Sequence, residues 1–136
     1  MASIGFAFLA EFAKVEANAT VTAVGVGVRG VLATSEHDEI TLFLAGIVNR
    51  DLGEDETTLS VTTEGPDKIY SVTQSAVMDP ARDTTDWAVT AFALRIGIPL
   101  AGEGKYKIAL DVGDSDRTEI DLWIKIVDAV YPQTGE

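Results

Sequence analysis

The sequence predicts an all-β protein: an antiparallel two-sheet β-sandwich of the Greek-key, immunoglobulin-like type, with about eight strands and at most one short helical turn. Three observations carry this. Apolar and polar residues alternate with period two, β-branched residues fill the alternating stretches, and turn-forming clusters separate them. A second helical period is missing, so a layered α/β arrangement is not expected.

Taken in chain order, the first strand is expected over 4–10, followed by a helical turn or two near "EFAKVEA". A glycine-containing strand over 20–29 comes next. It is expected to run straight through its glycines, with Val24, Val26 and Val28 on one face and Ala23, Gly25 and Gly27 on the other. Segments 39–48 and 87–98 are apolar on both faces in places ("ITLFLAGIV", "WAVTAFALRIGI"), as strands covered on both sides would be. Between them, "TLSVTT" alternates cleanly, with Leu59 and Val61 opposed to Thr58, Ser60 and Thr62, and a softer strand spans 68–78. Near the end, Tyr106, Ile108, Leu110 and Val112 alternate with Lys105, Lys107, Ala109 and Asp111. Ile120, Leu122, Ile124 and Ile126 then oppose Glu119, Asp121, Trp123 and Lys125. The clusters "EANA", "NRDLGEDE", "EGPDK", "MDPARDTTD", "PLAGEG" and "VGDSDR" supply the turns. Residues 1–128 read as one sandwich domain and 129–136 as a short tail.

A glycine two residues before Tyr106, at the start of a late strand, suggests a tyrosine corner. In that arrangement the phenol bonds to backbone a few residues upstream and fixes a crossover between sheets.

With 136 residues and 46% apolar content, the chain is long enough for one sizeable core. Its 22 acidic and 10 basic residues give a net charge of -12, which repels nucleic acid and anionic membrane alike. There is no cysteine, which excludes disulfides and thiolate chemistry, and the single histidine, His37, sits in the polar run "TSEHDE". No stretch approaches the roughly 20 apolar residues that span a bilayer. The N-terminal "IGFAFLA" has no basic residue before it and charges soon after it, so a cytoplasmic protein is expected.

Two motifs invite chemistry. Gly25, Gly27 and Gly30 have the G-x-G-x-x-G spacing of a dinucleotide loop, but that loop needs a strand before it and a helix after it. The segment after these glycines is the short polar "ATSEHDE", so they are read as letting another strand or chain approach closely, and Asp51 as a turn residue rather than a ribose ligand. The acidic clusters Asp111, Asp114, Asp116 and Asp79, Asp83, Asp86 raise calcium as an alternative, although Asp and Gly are ordinary turn formers and neither stretch matches an EF-hand. No catalytic constellation is visible, and no enzyme activity, cofactor or metal is expected.

Trp123 is the most informative side chain, because it lies on the charged face of its strand. If "VGDSD" closes a hairpin, Asp111 opposes Arg117, Lys107 opposes Asp121, and Lys105 opposes Trp123, where its ammonium can lie on the indole. Trp123, Lys105 and Lys107 are therefore the candidate protein-interface residues.

The segments "FAFLAEFAKVEANATVTAVGVGVRGV" and "LRIGIPLAGEGKYKIALDVGDSDRTEIDLWIKI" resemble a family of small single-domain bacterial proteins frequent in actinobacteria. The shared features are the apolar strand into Glu11-Phe12-Ala13, the Gly-containing strand, Pro99 and the Gly104-Lys105-Tyr106 hairpin; many members carry Cys where this chain has Ala10. The resemblance implies a β-sandwich and no particular activity. The functional expectation is a non-catalytic protein–protein interaction or self-assembly module, forming a homo-oligomer through strands 39–48 and 87–98 or engaging a partner through Trp123. The alternative is a small-ligand, carbohydrate or calcium-dependent binding domain.

Overall fold

The computed structural model describes residues 2–16, 20–34, 36, 38–50, 57–78, 88–113 and 116–127. The chain is all-β, with two main sheets packed as a sandwich. Ten strands run through these residues: β1 (Ser3–Ala10), β2 (Phe12–Val15), β3 (Val21–Val24), β4 (Gly30–Thr34), β5 (Glu39–Arg50), β6 (Thr57–Glu64), β7 (Ser71–Met78), β8 (Ala88–Pro99), β9 (Gly104–Val112) and β10 (Asp116–Val127). One sheet has the order β1-β5-β8, the other β4-β10-β9-β6-β7, and β2 and β3 form a separate hairpin.

Alternation decides which residues the two sheets bury against each other. Leu9, Leu44, Val48, Ile96 and Ile98 from one sheet meet Leu59, Val61, Ile108, Leu110, Leu122 and Ile124 from the other in a single core. Burying each such side chain stabilises by about 1.5–3 kcal/mol. A one-residue register slip would expose a whole strand's set at once, so the pairing is tightly specified.

Three local expectations are corrected. Segment "EFAKVEA" is not helical over the residues described: Phe12–Val15 pairs antiparallel with Val21–Val24 as β2 and β3. Its Ala and Lys are good helix formers, but burial of Ala13 with edge-on packing of Phe12 against Phe43 at 5.3 Å outweighs that local preference. Among the described residues the one helical turn is a 3-10 turn at Pro66–Lys68 instead.

Nor does the glycine segment continue as one strand. The strand ends at Val24 and the chain turns through Gly25 (φ 67) and Gly27 (φ 86), where the N–H groups of Gly27 and Val28 donate to the Leu9 carbonyl at 2.8 and 3.1 Å. Period-two spacing passes unbroken through a turn whose positive φ only glycine adopts freely, so alternation alone does not reveal it. Finally, β4 lies parallel to β10, so the sandwich is not wholly antiparallel. Parallel neighbours cannot be joined by a hairpin, and these two come from opposite ends of the chain, leaving no local signal.

The tyrosine corner is present. The Tyr106 hydroxyl donates to the Gly102 carbonyl at 2.6 Å and accepts from the Ala101 N–H at 2.8 Å. Beside it, the Tyr70 hydroxyl donates to the Pro99 carbonyl at 2.6 Å. Burial, and secondarily the charge of Tyr106, push the Tyr70 phenol up from 10.0 to about 12. An unfolded-chain tyrosine ionises near 10, so the folded state holds the proton longer. Stability from this group is complete below about pH 10 and falls as pH rises towards 12. In a phenolate absorbance titration the Tyr70 phenol should ionise late, and Tyr70→Phe should remove its step. If the step survives the substitution, the assignment is wrong.

Candidate functional site

The β9–β10 hairpin has the register its charges suggested: Asp111 opposite Arg117, Lys107 opposite Asp121, and Lys105 opposite Trp123. At the turn end the charges neutralise one another. Arg117 Nη1 bonds Asp111 Oδ2 at 2.9 Å and its Nε lies 3.4 Å from Glu119. The hydrogen bond to Asp111 holds the guanidinium's proton more firmly than usual. Lys107 does not reach Trp123; its ammonium is 3.8 Å from Glu119 rather than on its cross-strand neighbour Asp121.

The other end of the hairpin differs. The Lys105 ammonium lies 5.9 Å from the centre of the Trp123 ring, and the Trp123 side chain remains 58% exposed. Opposite Trp123 in the parallel strand stands Gly30, and opposite Lys125 stands Leu32, itself 68% exposed. A groove of about 470 Å³ opens there, lined by Gly30, Leu32, Glu103, Gly104, Trp123 and Lys125 among others.

Gly30 makes the groove, although its backbone does not demand glycine. A Cβ at Gly30 would meet nothing closer than the Trp123 carbonyl at 3.8 Å, and its φ lies outside the left-handed region. The missing side chain leaves the flank of the indole uncovered. Glu103 shapes the rim by accepting a hydrogen bond from the Ile126 N–H at 3.0 Å, so its carboxylate is tied to backbone. Among the described residues, the ion pairs do not involve Arg29, Lys105 or Lys125.

Of the interface candidates, Trp123 and Lys105 come together and Lys107 stands apart, while Gly30, Leu32 and Glu103 join them unanticipated. The third glycine of the G-x-G-x-x-G spacing thus opens strand β4 beside an indole. The next element after β4 among the described residues is strand β5, not the helix that a dinucleotide loop requires.

The opposite face of the molecule carries a second apolar surface. Phe6 is 49% exposed and stacks on Phe8 at 6.1 Å between ring centres, beside Ile47 of β5. β5 and β8, which hold the described part of the segments expected to supply such patches, are partly covered where the β2–β3 hairpin packs on Phe43, and β1 supplies exposed Phe6.

Among the described residues, no three acidic or histidine side chains gather as a metal site. Asp116 accepts from the Ile4 N–H at 2.7 Å and Asp111 is paired with Arg117. Asp79, Asp83, Asp86, Asp114, His37, Asp51 and the tail 129–136 lie outside the described residues. No helix in the described part is long and apolar enough to cross a membrane. No protein-family model and no curated protein matches the chain.

Proposed function

We propose that this chain is a non-catalytic protein-binding module that presents the Trp123 groove to a protein partner. The observation that carries the reading is the Gly30 notch, which leaves a half-exposed indole and Leu32 side by side at a sheet edge. Tryptophan in a desolvatable groove with a charged rim is the typical anchor of a binding hot spot. The lack of cysteine and the single histidine support the non-catalytic part of the reading.

Trp123→Ala is expected to change folding stability by only about 1 kcal/mol, the value of an exposed cation–π contact. It should weaken partner binding by about 2 kcal/mol or more, roughly thirtyfold, as loss of a hot-spot anchor does. Gly30→Gln, which fills the notch, should act in the same direction. Retention of the same partner proteins with equal affinity by wild type and both variants would sink the proposal.

Self-assembly is the second reading, favoured by the stacked, exposed Phe6–Phe8 pair. It predicts a stable multiple of 14.5 kDa by light scattering, reduced to the single-chain mass by Phe6→Asp. A single-chain mass for the wild type at all concentrations removes it.

A further inference from the structure

We propose that the partner of the Trp123 groove docks as an extended, acidic segment of another protein, adding a strand to the free side of β4. This rests on the reading of the groove as a protein-binding site and specifies what the groove receives.

The backbone pattern of β4 supplies the first argument. The Trp123 N–H donates to the Arg29 carbonyl at 2.9 Å, and the parallel register continues through Ile124 opposite Val31 and Ile126 opposite Ala33. In a parallel pair, alternate residues of one strand turn both backbone groups to the neighbour. Val31 and Ala33 therefore serve β10, while Gly30 and Leu32 turn their N–H and C=O groups to the other side. Among the described residues, no strand pairs with that side.

The edges of the three-stranded sheet are better closed. Along β1, the Leu9 carbonyl accepts from Gly27 and Val28, and the Ile4 N–H is held by Asp116. The β2–β3 hairpin packs against β8. Strand β7 is also an edge, but it has no indole beside it. β4, reading Gly-Val-Leu-Ala-Thr, carries neither charge nor proline, the residues that ordinarily guard an exposed edge.

Groove geometry supplies the second argument. Strands in a sheet are about 4.8 Å apart, so an added strand lies roughly 10 Å from β10. An aromatic or long aliphatic side chain on its outward face can cross the bare Gly30 position and rest on the Trp123 indole. Any side chain at position 30 would block that path.

Charge chooses between partners. On a chain of net charge -12, exposed Lys125 lines the groove, exposed Lys105 lies on the Trp123 ring, and exposed Arg29 directly precedes β4, none with an ion partner among the described residues. A symmetric dimer through β4 would set these cations against their own copies, because an isologous interface places the same patch on both sides. An acidic segment from a different protein satisfies them.

The test uses a displayed library of random linear peptides, selected on the full chain and counter-selected on Gly30→Gln. Enriched peptides should carry an aromatic or long aliphatic residue flanked by Asp or Glu. Methylating their backbone nitrogens at alternate positions, in the register that faces β4, should weaken binding about tenfold or more by removing the strand-pairing donors. Hydrogen exchange at the Leu32 amide should slow when the unmethylated peptide binds. Peptides that need Trp123 but tolerate methylation in both registers, or lack acidic residues, would overturn strand addition while leaving the binding module intact. No enrichment over Gly30→Gln would overturn both.

Discussion

Gly46→Ala is expected to destabilise the protein by about 3 kcal/mol or more, the upper range for overpacking a buried site. Gly46 lies in the middle of β5, between Ala7 of β1 and Phe92 of β8. A Cβ there would collide with the Phe6 carbonyl oxygen and sit 2.9 Å from the Ala7 Cα and 3.0 Å from the Phe6 carbonyl carbon. All three are backbone atoms, so no rotamer change relieves the clash. β1 would have to draw away, taking buried Leu9 with it, next to a register shift already present between Ile4 and Phe6. Urea denaturation measures the effect, with Gly30→Ala as the comparison. That substitution enters open space in an extended strand, and should be neutral or stabilise by up to about 1 kcal/mol. Equal midpoints for the two variants would show that β1 does not approach β5 as closely as described.

Tyr106→Phe should cost about 2–4 kcal/mol, although it removes a single oxygen. The side chain is completely buried and its hydroxyl serves both the Ala101 N–H and the Gly102 carbonyl. Phenylalanine keeps the ring packing but takes the hydroxyl away from the Ala101 N–H and the Gly102 carbonyl in a partly buried corner, each loss costing about 1–2 kcal/mol. Against a total stability of about 5–15 kcal/mol for a domain, that is a large share. Tyr70→Phe is the fitting comparison, since its half-buried hydroxyl makes one bond to Pro99 and should cost only about 0.5–1.5 kcal/mol. If Tyr106→Phe unfolds at the same denaturant concentration as Tyr70→Phe, the corner is packing alone and its hydrogen bonds contribute little.

How much was legible in the sequence depends on how local each interaction is. The β9–β10 hairpin could be registered residue by residue, because a short turn joins its strands and pairs such as Asp111 with Arg117 distinguish one register from the next. The Tyr106 corner was legible for the same reason, since its hydroxyl bonds residues only four and five positions upstream. At the glycine turn, residue spacing was a poor guide, because an alternating pattern does not record the sign of φ. The helical expectation for "EFAKVEA" failed because β3 and the three-stranded sheet supply partners that local preference cannot anticipate.

The same division runs through the candidate site. Local pattern was enough for the all-β class, for the inward and outward sets of each late strand, and hence for Trp123 facing away from the core beside Lys105. Period-two geometry requires as much once the strand is granted. That Gly30 and Leu32 flank the indole emerged only from the folded arrangement, because the β4–β10 pairing joins distant segments in parallel and depends on the whole sandwich closing. A glycine that looked like part of a phosphate loop became the floor of a groove through its neighbour across the sheet.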